Sequence, residues 1–197
     1  MRKAKIKIPY LEGMLAPETL LWALANNAEL CPLEPGDESY YWAFREWWLD
    51  PEPGDLIIVE QDIVPPENVV FDFTTCPEHW CASWYELHPV TEDGRDYSQA
   101  IPFGWGLGCT RFSAVLRREY PELADRAGEP LVFGPEPDPD PPRVWWVLDM
   151  RVTMHVNRLG YLPHDHGQAQ HVSCGDGHRD AQGLRPGQPG DLPRAHP

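Results

Sequence analysis

Two acids stand one residue apart in Glu60-Gln61-Asp62, where the apolar run "DLIIV" ends and shortly before Pro65-Pro66. Side chains alternate along extended backbone, so this spacing aims both carboxylates to one side. A divalent cation relieves their repulsion, and Mg²⁺ or Mn²⁺ takes oxygen ligands that it shares with substrate phosphates. The triplet also reads as a turn before the prolines, with Asp62 capping it and Glu60 solvated. Late in the chain, "PHDHGQAQH" holds His164, His166 and His171. An HxH on extended backbone turns both rings to one side, a ligand-like arrangement. The same stretch also reads as a polar loop ahead of the C-terminal tail.

Between these lies "FGWGLGCTRFS", with Gly104, Gly106 and Gly108 ahead of an expected helix that Thr110 caps. Glycine permits close backbone approach, and a helix N-terminus favours an anion. The Lys-Ser/Thr ending of a P-loop is absent. Trp105 is open to a ligand ring or to a core position, and Arg111 to a phosphate or a surface acid. Asp149 is expected to begin the last helix, where the dipole stabilises its ionised form. By position alone it reads as a dipole cap. Arg151 is a weaker candidate for an acceptor or phosphate contact.

The elements that must position these groups are legible. "KIKIPY" is a short strand, and "APETLLWALANN" a helix with Leu20, Leu21 and Leu24 on one side. "AELCPL" is a second strand. "GDESYYWAFREWWLD" is a helix, capped by Asp37 or Ser39, with Tyr40, Tyr41, Phe44, Trp47 and Trp48 on a broad aromatic face. "DLIIV" fits a strand covered on both faces. The order β-α-β-α-β predicts an α/β fold with an open, mostly parallel sheet and flanking helices. In such sheets ligands sit beyond the carboxyl ends of the strands, where Glu60-Gln61-Asp62 stands. "HWCASWYEL" is another strand, and "VWWVLDMRVTMHVNRLGY" a helix that buries Leu148, Val152, Val156 and Leu159 and stops at Gly160. "GPEPDPDPP" reads as an exposed loop. Residues 1–174 form one expected domain, and 175–197, rich in Gly and Pro, an expected disordered tail.

Charge and cysteine usage bound the function classes. The 197 residues carry a net charge of −15, which argues against a broad nucleic-acid backbone footprint. The five cysteines form no CxxC pair and no evident disulfide framework, so a reducing cytoplasm is the expected compartment. No signal-like or membrane-spanning apolar run is present in the sequence.

"DLIIVEQDIVP", "WCASWYEL", "GLGCTRFSAVL" and "WWVLDMRV…GYLPHDH…QHV" occur in the order found in compact GT-A-type glycosyltransferases. The chain most resembles small glycosyltransferase-like proteins of actinobacteria and their phages, over residues 5–173. The resemblance implies a Rossmann-type nucleotide-binding half and transfer of a sugar from a nucleotide-sugar, a UDP- or GDP-sugar, to a hydroxyl acceptor with inversion. The acceptor classes are a modified DNA base, a protein or a glycan. Glu60-Gln61-Asp62 stands where the family's acid-x-acid element holds Mn²⁺ or Mg²⁺ on the diphosphate. Asp62 is the implied ligand, and Glu60 faces the sugar or ribose. His166 and His171, with His164 in reserve, complete the metal site. Pro9, Tyr10, Asp37 and Glu38 lie near base and ribose, and Trp105, Gly106, Arg111 and Arg151 on the sugar and acceptor side. Asp149 is the implied catalytic base. The chain departs from the family with Glu60 in place of the first Asp, and with Leu148 in place of the first acid of the pair on the last helix. Those departures keep a non-catalytic GT-A-like binding module in view. A metal-dependent phosphate-ester hydrolase or nucleotidyltransferase built on Asp62 and the HxH is the other alternative.

Overall fold

A computed structural model describes residues 2–35, 38–52, 54–87, 90–91, 94–95, 101–103, 106–129 and 145–172. The expected tail, the "GPEPDPDPP" loop, Asp37 and Trp105 lie outside them.

The chain begins with strand β1 (Ala4–Tyr10), helix α1 (Pro17–Ala25), strand β2 (Glu29–Pro32), helix α2 (Ser39–Leu49) and strand β3 (Asp55–Val59). Both β2 and β3 pair with β1 in parallel, giving the expected β-α-β-α-β half. A two-residue strand β4 (Ile63–Val64) and helix α3 (Val69–Thr75) follow. Next come β5 (Trp80–Leu87), β6 (Val90–Thr91), β7 (Gly94–Arg95), β8 (Ile101–Phe103) and β9 (Cys109–Phe112). Helices α4 (Ala114–Glu119), α5 (Leu123–Arg126) and α6 (Trp145–Arg158) precede β10 (His164–Gln168) and β11 (Gln170–His171). The main sheet runs β10-β5-β9-β3-β1-β2, with β8 joined to β5. Only β9 on that path is antiparallel to its neighbours, so the sheet is open and mostly parallel.

The two faces of the sheet are filled differently. On one, Leu56 and Ile58 of β3 pack against Tyr40, Tyr41, Phe44, Trp47 and Trp48 of α2 and against Leu148, Val152 and Val156 of α6. Each such buried ring stabilises by on the order of 2–3 kcal/mol through apolar area removed from water. On the other, Ile57 and Val59 meet Val69 and Phe73 of α3 and Ala23 of α1.

Three local expectations are corrected. The glycine-rich stretch leads into strand β9 and not a helix: "CTRF" is buried between β3 and β5, and α4 starts later, where Ser113 Oγ accepts from Leu116 N at 3.1 Å. Tertiary pairing there overrides the helix-start signal, and Thr110 instead accepts from Trp80 Nε1 at 3.1 Å inside the sheet. In α1 the buried positions are Thr19 and Ala23, while Leu21 and Leu24 are 68% and 64% exposed. The helix lies close against β4, where Thr19 Oγ1 donates to Ile63 O at 3.0 Å, and only small side chains fit. At α2 the N-cap residue is Glu38, with no side-chain capping bond, and Ser39 is already helical.

Candidate active site

Alternation along β3 decides where Glu60 points. Leu56 and Ile58 face α2 and α6, so the next position in that register is Glu60. Its N–H donates to Gly108 O at 2.9 Å, one rung beyond the β3–β9 ladder. The chain then turns, with Ile63 N donating to Glu60 O at 3.1 Å. The acids are thus set by a turn and not by two rungs of extended strand, contrary to the alternation argument.

Each residue of the triplet has a different surrounding. Glu60 meets Tyr40 of α2 and Asp149 of α6. Gln61 is an internal tie: its Oε1 accepts from Leu11 N at 2.9 Å and its carbonyl from Ala16 N at 2.9 Å. That fixes the loop between β1 and α1 and corrects its assignment to donor contact. Asp62 is buried, and its Oδ2 lies 3.2 Å from His171 Nε2. Antiparallel pairing of β4 with β11 puts His171 there, opposite Ile63, and Val172 N donates to Asp62 O at 2.8 Å.

The acids change one another. Burial, then the charges of Asp149 and Asp62, push the Glu60 carboxyl far above its ordinary range. Burial pushes Asp149 up to about 7, against the pull of hydrogen bonds from Leu107 N–H and from Glu60. Glu60 Oε1 and Asp149 Oδ1 are sealed from solvent, and neither receives a hydrogen bond from a protein N–H or O–H. Tyr40 and Tyr85 surround the pair, and burial together with these acids raises both phenols well above 10. The expectation that Asp149 opens the last helix and is held ionised by its dipole is corrected. Asp149 is the fifth residue of α6, and burial favours its neutral form.

Tyr85 closes one side of the site. It stacks on His171, ring centroids 5.8 Å apart and planes 22° from parallel. It also lies against Gly108, where an added Cβ would fall 2.5 Å from a ring carbon. Gly108 therefore serves close packing, not an anion. His171 also walls an open cleft of about 450 Å³ with Glu86, Gln168, Ala169 and Gln170, large enough for a small polar ligand.

The other expected site residues are dispersed. Pro9 is buried within β1, and Tyr10 is half-buried at its carboxyl end. Glu38 is exposed and accepts from Trp42 Nε1 at 3.1 Å. Gly106 is buried ahead of β9. Arg111 is fully buried, ion-paired to Asp55 at 3.0 Å, which corrects its placement on a phosphate. Arg151 is buried and donates to Gly128 O at 3.4 Å, so it braces α6 against the end of α5 and does not face an acceptor. His164 and His166 do not join Asp62: they meet Cys76 and Cys81. Of the predicted metal ligands, only His171 meets Asp62. Tyr40 and Tyr85 escaped the sequence reading, since one looks like any ring of the aromatic helix and the other like any strand residue.

No family model and no curated protein matches the chain. Among solved structures it is similar to A197 from STIV, with TM-score 0.44 and 15% identity over 85% of this chain and 83% of that one. It is also similar to CMP:2-keto-3-deoxy-manno-octonic acid synthetase complexed with CTP, with TM-score 0.44 and 11% identity over 85% and 91%. Both likenesses are remote, and no residue's role is taken from them. Among the described residues no helix is long and apolar enough to cross a membrane.

Proposed function

We propose that this protein transfers a sugar from a nucleotide-sugar to a hydroxyl acceptor, in the manner of a GT-A-type glycosyltransferase. The observation that carries the reading is the meeting of Glu60, from the end of β3, with Asp149, from α6, beyond the carboxyl ends of the parallel strands. An acid poised near neutrality suits general-base work, because it is ionised in use yet still basic enough to take a proton. Asp149 accepts the acceptor's hydroxyl proton as that oxygen bonds to the anomeric carbon. The bond from that carbon to the diphosphate breaks, and the nucleoside diphosphate leaves with the electron pair.

The residues fit a hard cation in kind. Mn²⁺ or Mg²⁺ commonly uses one or two protein ligands and completes its shell with water and phosphate oxygens. Asp62 and His171 would hold it, and when bound it supplies positive charge for the departing diphosphate. Glu60 carries a buried unpartnered oxygen beside them and suits a ribose or sugar hydroxyl.

The test is incubation with Mn²⁺ and UDP- and GDP-sugars, following release of nucleoside diphosphate by slow hydrolysis or transfer. Expected are turnover by the native chain, loss of turnover with retained donor binding in Asp149→Asn, and loss of binding in Asp62→Ala. Absence of binding and turnover for every donor, with Asp62→Ala indistinguishable from native, overturns the reading. Release of pyrophosphate or a nucleoside monophosphate would instead point to nucleotidyl transfer or phosphate-ester cleavage at the same acids.

A further inference from the structure

Cys76, Cys81, His164 and His166 meet on the α3 side of the sheet, across it from Glu60 and Asp149. Cys76 is the residue that closes α3, and Cys81 is the second residue of β5. His164 and His166 are the first and third residues of β10, and parallel pairing sets His164 beside Cys81. One ligand atom from each lies within 4.8 Å of the other three, the only such convergence of three or more groups among the described residues. Cys76 Sγ is 3.4 Å from His164 Nδ1, which is 3.0 Å from His166 Nε2.

We propose that these four side chains form a structural Cys₂His₂ zinc site. Tetrahedral zinc, with bonds of about 2.3 Å to sulfur and about 2.0–2.1 Å to nitrogen, spaces its ligands roughly 3.3–3.8 Å apart. Two of the separations, 3.4 Å and 3.0 Å, are near that range, and all four atoms lie within 4.8 Å of one another. Two thiolates and two imidazoles are soft and borderline donors, which select zinc over the oxygen-seeking Mn²⁺ and Mg²⁺. Four protein ligands leave no open position, so the site holds structure and does no chemistry.

The surroundings are those of a supported site. Arg111 Nη1 donates to Cys81 Sγ at 3.2 Å and to Glu78 O at 2.6 Å, and its Nη2 donates to Cys76 O at 3.4 Å. The guanidinium thus fixes the 76–81 turn and offers an N–H to a metal-bound sulfur, while Asp55 balances its charge. The Phe73 ring packs against His166 at 5.1 Å between centroids. Cys76 and Cys81 are buried, and His164 is exposed, so the ion has a way in from solvent.

The consequence reaches Asp62. The clamp pins edge strand β10 to the α3–β5 segment. Beyond β10, Ala169 N donates to Trp84 O at 2.8 Å and β11 carries His171 to Asp62. Zinc therefore holds the strand that leads to the histidine beside Asp62.

The experiment uses the full chain, purified under reducing conditions without added chelator. One zinc per chain is expected by elemental analysis. Refolding with Co²⁺ should give the intense visible bands of a tetrahedral site and a sulfur-to-cobalt charge-transfer band. His164→Ala, an exposed position, should keep the native circular dichroism and lose at least roughly 100-fold in zinc affinity. Cys81→Ser should roughly halve the charge-transfer band, leaving the Cys76 contribution, and if that buried-site variant fails to fold, His166→Ala should lower zinc affinity as His164→Ala does. A chain that retains no stoichiometric zinc after loading and desalting overturns the proposal. So does a Cys76–Cys81 disulfide under these conditions, or native affinity in His164→Ala. Asp62→Ala and Asp149→Asn should keep their zinc, which separates this outcome from the fate of the proposed activity.

Discussion

The two faces of the central sheet carry opposite chemistries within a few residues of each other. On the α2–α6 face, hard oxygen donors meet and resist ionisation: burial raises Glu60 and Asp149, and the charge of Asp62 adds to both shifts. On the α3 face, sulfur and imidazole donors converge over a guanidinium that an aspartate already neutralises. The difference follows from strand alternation. Asp55, Ile57 and Val59 look one way, and Leu56, Ile58 and Glu60 the other. Arg111, opposite Ile57, and Cys81, opposite Arg111, fall on the first side. One face therefore stores electrostatic tension and the other relieves it, a contrast that suits the proposed reaction on the first and the proposed zinc on the second.

The largest effect that would break this contrast is on activity. Asp149→Asn should lower transfer by roughly 10²–10⁴-fold, the usual worth of a general base. With the native chain, rate should rise with pH through about 7 as Asp149 loses its proton. Steady-state assays of nucleoside diphosphate release across pH 5.5–8.5 check both.

Next in size is the buried Arg111–Asp55 pair. Removing one partner leaves a charge unpaired in the interior, so Arg111→Met should cost about 3–5 kcal/mol in urea unfolding. It should also loosen the 76–81 turn, read as faster alkylation of Cys76 and Cys81. Gly108→Ala forces a methyl group into the Tyr85 ring and should cost about 1–3 kcal/mol, with His171 losing its stacked neighbour.

The smallest effect is the sharpest in sign. Asp149 titrates near 3.8 when unfolded and near 7 when folded. Between those values the folded chain holds a proton that the unfolded chain has lost, so stability falls as pH rises through that window. Asp149→Asn should be more stable than the native chain at pH 8, with the gap closing toward pH 4. Glu60→Gln should be stabilised in the same direction, since Glu60 is shifted upward too. Thermal unfolding at both pH values checks this. A loss of stability in both variants at pH 8 would mean that the acids hold the fold together, which removes the contrast between the faces.

Much of the frame was legible in the sequence because it rests on local patterns. "DLIIV" had to be a covered strand, the rings of α2 had to face a core, and Gly160, at φ +90°, had to end the last helix. The acids at the end of β3 and on α6 were picked out for their positions. Other features were illegible for physical reasons. "CTRF" after a glycine-rich turn carries a helix-start signal that two flanking strands overrule. The exposed leucines of α1 follow from how closely that helix approaches β4, which no periodicity records. Cys76 and Cys81, scattered in sequence relative to His164 and His166, become neighbours only when β10 pairs with β5.

By itself, then, the sequence determined the β-α-β-α-β order of the first half, its parallel pairing and the presence of acids at its carboxyl edge, since side-chain periodicity and turn chemistry act over a few residues. Tertiary structure alone decided which acid meets which, that a carboxyl oxygen of Asp149 is sealed and its pKa raised where a helix start would have held it ionised, and which histidine goes to Asp62. Those outcomes depend on contacts between segments far apart in the chain, where burial and neighbouring charge, not local spacing, set a side chain's chemistry.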